Sequence, residues 1–174
     1  MNNDLNEKEK QVDLSCTSLN IYKEVVLNEY NLEIERKVAL ENRHGFLIAF
    51  DGSILTYILQ TINLKQLFIL FPPLNLYLFV RFFIVCGIFF CVIASLLYSL
   101  FGINPYNYRN FDPQKINDKD LVADEIEGTY TLIANYKNII KNNRIKNDKK
   151  TVLLRNSIIN LSVAIFLILL YFVF

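Results

Sequence analysis

Residues 82–101, FFIVCGIFFCVIASLLYSLF, contain no charged side chain. Twenty residues at about 1.5 Å each make a helix of about 30 Å, the thickness of a bilayer's hydrocarbon core. A helix apolar on every side has no face to offer water, which excludes most soluble architectures. Residues 157–174 form a second run, eighteen residues long. A third, 46–62, has seventeen mostly apolar residues, near the lower limit for a span, and Asp51 lies inside it. A carboxylate there costs roughly 2.5 kcal/mol or more, so Asp51 is expected to face protein or water, on another span or another subunit. The fold class that follows is an all-α membrane protein, with three transmembrane helices and a cytosolic helical bundle.

Charge sets the expected orientation. The net charge of +1 carries little information, but its distribution is uneven. Residues 63–77 hold only Lys65, whereas 102–156 hold ten Lys and Arg, six of them from Lys141 to Arg155. The positive-inside rule then puts the N-terminus and 102–156 in the cytoplasm of a multi-pass protein. The first twenty residues are polar and acidic, so no signal peptide is expected. Cys86 and Cys91, five apart in one span, point in different directions, and neither a disulfide nor a zinc pattern is expected.

Along the chain, residues 1–17 are polar and expected to be disordered. An amphipathic helix over 18–45 follows, with Ser18 or Asn20 as cap and Leu27, Tyr30, Ile34 and Val38 as its apolar stripe. Glu24, Glu29, Glu33, Glu35, Arg36 and Lys37 are assigned to its opposite faces. A transmembrane hairpin occupies 46–101, about 46–62 and 78–101, with Pro72-Pro73 at the outer turn. Whether the first span ends near Ile62 or runs on to Phe71 stays open. In it Gly45, Ala49, Gly52, Ser53, Thr56 and Gln60 share one side, which lets another helix approach closely. The intramembrane polar set is Asp51, Thr56, Gln60 and Arg81, with Arg81 able to reach the outer headgroups. Gly102 ends the second span. Segment 102–156 reads as an ordered loop and a helix capped by Asn117 or Asp118. Its stripe is Ile126, Tyr130, Ile133, Tyr136 or Lys137, and Ile140, and the basic run 141–150 ends it at the membrane surface. The two cytosolic stripes are expected to pair, antiparallel or bundled. Residues 157–174 are the last span.

Catalysis has little to stand on. His44 is the one histidine, and Ser53 points about 160–200° away from both His44 and Asp51 on a helix, so no Ser–His–Asp set forms. Asp118, Asp120, Asp124 and Glu125 are read as charge at a helix start rather than as metal ligands. No enzyme, no cofactor, no metal and no nucleic-acid polymer is expected; the basic run is assigned to the lipid surface. Arginine can hold a phosphate bidentately, and Arg43, Arg109 and Arg144 are open candidates.

Residues 41–52, E-N-R-H-G-F-L-I-A-F-D-G, resemble a motif of small bacterial membrane effectors of nucleotide-signalling phage defence, the Pycsar transmembrane effectors. In that pattern an acidic residue, any residue, a basic residue and a small one precede leucines and Phe-Asn-Gly or a variant. Glu41, Arg43, Leu47, Ile48, Ala49, Phe50 and Gly52 fit. His44 stands where the small residue is usual and Asp51 where asparagine is, which leaves the subfamily and its nucleotide open. The resemblance implies a non-enzymatic, oligomeric effector of the bacterial inner membrane. It would bind a cyclic nucleotide through its cytosolic part and then damage the membrane. Glu41, Asn42, Arg43, Arg109 and Arg144 are the candidate ligand contacts. The alternative is a structural or regulatory subunit that docks a soluble partner through its cytosolic helices.

Overall fold

The computed structural model describes residues 2–61, 76–111 and 124–173, with the side chains of 2–17 and 76–78 left aside. The chain is all-helical: α1 spans Asn2–Thr61, α2 Leu76–Ile103 and α3 Glu125–Val173. No strand occurs among the described residues. Pro72-Pro73, Lys65, Asn117, Asp118 and Asp120 lie outside them.

Two helices are longer than the sequence pattern alone suggested. α1 starts at Asn2 rather than Ser18 and continues without a break into the apolar run. No proline occurs before Pro72, and Leu, Glu, Lys and Gln of the first seventeen residues are good helix formers. Likewise, the basic run 141–150 does not end its helix, because α3 passes straight through it to Val173. That stretch holds neither glycine nor proline. At the α3 start, the Asp124 carboxylate accepts the Glu125 N–H at 2.9 Å, and Glu125 and Glu127 lie in the first turn. α2 closes with an Asn104 N–H to Leu100 carbonyl bond at 3.2 Å, before Pro105.

The chain divides into two compact units, and α1 and α3 each contribute to both. The first unit holds residues 1–37 and 106–147. Its core is Val26, Ile133 and Ile140, flanked by Leu19, Tyr30 and Tyr136. Tyr30 meets Tyr136 edge to face at 5.1 Å, and Phe111 stacks on Tyr136 at 4.9 Å. α1 and α3 do pair here, but parallel rather than antiparallel, since Tyr30 meets Tyr136 while Glu33 meets Asn147. The stripe also differs by one position. Val26 and Glu33 are buried, Leu27 and Ile34 are half-buried and Val38 is exposed. Seven-residue spacing (19, 26, 33) replaces steps of three and four from Leu27, as expected of helices that wrap one another. On α3, Ile126, Tyr130 and Lys137 turn outward while Ile133, Tyr136 and Ile140 turn in.

The second unit, residues 38–105 and 148–174, packs three helices. One cluster joins Ile58 of α1, Val85, Ile88 and Val92 of α2, and Ala164 of α3. Leu40, Leu47, Leu154 and Leu161 form another. The buried positions of α3 here, Lys150, Leu154, Ser157, Leu161 and Ala164, step by four and three. α1 and α3 run parallel and α2 antiparallel, as the pairings of His44 with Lys150 and Asp51 with Ser95 require. Outward-facing residues are large and apolar, among them Phe46, Phe83, Phe90, Phe101, Phe166 and Leu169. Among the described residues, α2 from Phe79 to Ile103 and α3 are long and apolar enough to cross a membrane, with only 22% and 17% of the apolar windows buried by protein. α1 does not meet that measure, so a third span is not shown; Asp51, Gln60 and the glycine and hydroxyl residues dilute its apolar run.

Candidate functional site

Charged and hydroxyl side chains lie inside the second unit, on the seam where its helices meet. Asp51, Ser95, Ser99, Ser157, His44 and Lys150 are all fully buried, at 0% exposure. Seven residues separate His44 from Asp51 on α1, Lys150 from Ser157 on α3, and Ser95 from Gly102 on α2. α1 and α3 thus each turn a polar pair into the bundle, two turns apart, and α2 meets them with Ser95 and Gly102. In the upper layer Lys150 Nζ donates to Glu41 Oε1 at 2.6 Å. His44 Nε2 lies 3.2 Å from the Lys150 carbonyl. A carbonyl only accepts, so Nε2 carries a proton and donates it to Lys150. Burial holds the His44 imidazole below its ordinary range; the Lys150 carbonyl bond opposes this, and the Lys150 charge adds to it. Its Nδ1 has no partner among the described residues.

Gly102 explains how so large a ring fits. A Cβ at this position would overlap Cε1, Nε2 and Nδ1 of His44. Gly102 lies in the last turn of α2, which ends at Ile103, and is buried there as the floor under the imidazole.

In the lower layer, Ser95 Oγ donates to Asp51 Oδ2 at 2.9 Å. Ser157 Oγ is 2.9 Å from Ser95 Oγ, 2.7 Å from Ser99 Oγ and 3.1 Å from the Ser95 carbonyl, to which it can donate. Asp51 Oδ1 has no hydrogen-bond partner among the described residues. The bundle thus encloses a carboxyl group and three hydroxyls in a continuous hydrogen-bonded chain.

The first unit has its own polar seam. Glu33, assigned by its charge to the outer face, is only 6% exposed. Its carboxylate accepts from Asn147 Nδ2 at 2.8 Å and from Arg144 Nε at 2.9 Å, and the same Asn147 nitrogen bonds the Glu33 carbonyl. Arg144 also bonds Glu29 at 2.9 Å, and its guanidinium is held above its ordinary range, chiefly by the Glu33 hydrogen bond. The loop after α2 is clamped by α3. Asn143 exchanges two bonds with the Arg109 backbone, Tyr108 donates to Asn147 Oδ1 at 2.7 Å, and Lys146 bonds the Asn107 carbonyl. Lys37 and Lys146 lie 4.5 and 5.5 Å from the Tyr108 ring centre. Tyr136 is held above its ordinary range by burial, and then by Tyr30.

The candidate ligand contacts fall in different places. Glu41, Asn42 and Arg43 belong to the second unit, with Glu41 on Lys150 and the other two exposed. Arg109 and Arg144 belong to the first, Arg109 exposed and held through its backbone, Arg144 engaged by two glutamates. Of the intramembrane set, Asp51 is buried against another helix of its own chain. Thr56 is exposed and bonds the Gly52 carbonyl at 2.9 Å, and Gln60 is exposed. The Arg81 guanidinium carbon stands 5.1 Å from the Tyr171 ring centre. Ala49, Ser53, Thr56 and Gln60 of the small-residue side face outward, and Gly52 has open space before it. No group of three or more metal-ligating side chains occurs among the described residues. Comparison with family models, with curated proteins and with solved structures finds no match to this chain.

Ser95, Ser99, Ser157, Lys150, Asn143 and Asn147 were not among the residues singled out from sequence. The signal was there: positions 136, 143, 150, 157, 164 and 171 form an unbroken seven-residue series of Tyr, Asn, Lys, Ser, Ala and Tyr. Only a 3.5-residue period reads it; a span-by-span search for apolar residues passes over it.

Proposed function

We propose that this protein is a non-enzymatic effector of the bacterial inner membrane that converts a cytosolic signal, a cyclic nucleotide, into loss of membrane integrity. The observation that carries the reading is that α1 and α3 each run unbroken through both units. On this reading the two shared helices carry a change of packing in the first unit to the second. A ligand drives such a change only through different affinities for the two packings. On this reading α1 from Phe46 is the third span, the N-terminus is cytoplasmic, and the outward small-residue face of α1 supports close approach of a second copy. Resemblance of residues 41–52 to phage-defence effectors supplies the ligand class.

The test is expression in a bacterial host with each candidate cyclic nucleotide supplied in turn, following membrane depolarisation. Depolarisation that depends on one nucleotide supports the reading. An inserted protein that leaves the membrane potential intact under every nucleotide sinks it.

A second reading, a regulatory subunit that docks a soluble partner, is favoured by exposed apolar side chains on the first unit: Ile21, Tyr22, Val25, Leu32 and Tyr130. A nucleotide cyclase gene beside this one would favour the effector, and a transporter or secretion operon the subunit.

A further inference from the structure

Asp51 is fully buried, yet among the described residues only one of its oxygens is bonded. Leaving an ionised carboxylate in an apolar interior with a single donor costs several kcal/mol, and uptake of a proton removes that cost. The neighbouring hydroxyls suit either charge state. With Asp51 ionised, Ser99 donates to Ser157, Ser157 to Ser95, and Ser95 to Oδ2, so every proton points at the charge. With Asp51 protonated, Oδ2–H donates to Ser95 and the chain reverses. Ser95 then donates to Ser157, and Ser157 to Ser99 or to the Ser95 carbonyl. Serine hydroxyls donate and accept with equal ease, so the reversal needs only rotation about C–O bonds.

The size of the site chooses the ligand. Adjacent oxygens stand 2.7 to 2.9 Å apart, hydrogen-bonded to each other. A hard metal cation with six or more oxygen ligands needs a central void that such contacts close. A proton needs none.

Other charges around the site are already committed. On α1, toward the N-terminus, Glu41 pairs with Lys150, and His44, one heptad from Asp51, binds the Lys150 carbonyl. On α3, Lys150 is that partner and Arg155 is exposed. α2 brings only hydroxyls to Asp51; its nearest titratable groups are Cys91 and Tyr98, both half-buried. No basic side chain among those described bonds the carboxyl group, so a proton is its available counter-charge.

We propose that Asp51 is a reversible proton-binding site in the interior of the helical bundle, with Ser95, Ser157 and Ser99 as the hydroxyl relay that reorients on loading. This holds whether or not the protein is a nucleotide-gated effector, and its test uses no nucleotide.

The full-length protein in phosphatidylcholine–phosphatidylglycerol vesicles would be titrated from about pH 4 to about pH 9, following the infrared C=O stretch of protonated carboxylic acids. The expected result is a band lost reversibly as pH rises and absent from Asp51→Asn, with helicity by circular dichroism unchanged. In Ser95→Ala the same band should move in frequency, and its midpoint by roughly half a pH unit or more. A wild-type spectrum with no titrating band, or one that persists in Asp51→Asn, overturns the proposal. Should Asp51→Asn not fold, Ser95→Ala decides: an unmoved band and midpoint overturn it equally.

Discussion

Replacing Gly102 with alanine sets two effects against each other, and the structure decides between them. Intrinsic helix propensity favours alanine over glycine by about 1 kcal/mol within a helix. Against this stands the His44 ring, three of whose atoms occupy the space the new methyl needs. The ring has no free direction in which to yield. His44 is fully buried and tied to the Lys150 carbonyl at 3.2 Å. Forcing an extra methyl into a packed interior costs about 1–3 kcal/mol. Breaking the His44 bond to relieve the clash leaves a buried donor unmet, at about 1–3 kcal/mol more. Where both apply, the net is a loss of about 1–5 kcal/mol after the propensity gain is subtracted.

The assay is thermal unfolding in mild detergent, for wild type, Gly102→Ala, His44→Ala and the double variant. The expected outcome is a lowered melting temperature for Gly102→Ala, partly restored when His44→Ala removes the obstacle. That restoration is a coupling of about 1 kcal/mol or more. If Gly102→Ala raised the melting temperature, or the two substitutions simply added, the packing of the imidazole on Gly102 would be wrong.

Three further outcomes are expected. Because the folded protein holds the His44 imidazole below its ordinary value of 6.5, the unfolded chain binds more protons as pH falls through about 6.5. Stability is therefore full above that value, is lost as pH drops from it toward the lower folded value, and levels off beneath; melting curves of His44→Gln should lack this slope. Asn147→Ala removes two bonds to Glu33 and one from Tyr108, and should cost about 2–3 kcal/mol by denaturant titration, with Arg144→Ala costing less because that side chain is half exposed. In spheroplasts, cysteines placed at Asn20 and Lys137 should resist an impermeant thiol reagent and one near Lys65 should react; a reactive Lys137 position would refute the assigned orientation.

How far the sequence reaches depends on which property a residue uses. The apolar stretches of α2 and α3 were legible because apolar length acts locally, whereas the full lengths of α1 and α3 were not. The orientation of α1 was legible only to within one position. Leu27, Ile34 and Val38 are as apolar as Val26 and Leu40, and the choice between the rows turns on Glu33. A glutamate counts as an outer residue until Asn147 and Arg144, more than a hundred positions away, are known to bond it. Lys150 was misplaced for the same reason: a lysine in a basic run reads as surface, yet its side chain is buried against Glu41. Asp51 was legible as a residue in need of a partner, because the cost of burying a charge depends on the charge alone. That the partner is Ser95 was not.

On the membrane reading, the two units are held together by different forces, and the seam residues change accordingly. In water, Val26, Ile133, Ile140, Tyr30 and Tyr136 bind by leaving solvent, and the outer face carries exposed Glu24 and Glu35. In lipid, an apolar side chain gains little by exchanging lipid neighbours for protein ones. Phe90 and Phe166 can then stay outside, as they do. What remains to bind helices there is close approach and hydrogen bonding. Gly102 admits an imidazole, Ala164 lies in the cluster of Ile58, Ile88 and Val92, and Ser95, Ser99 and Ser157 bond across α1, α2 and α3. The buried hydroxyls and the carboxyl group are thus both the adhesive of the second unit and its weak point. A change that breaks the chain at Asp51 takes from the Ser95 hydroxyl its carboxyl partner, while Ser157 still bonds Ser95 and Ser99, and the hydroxyl chain must then redirect its end toward another acceptor.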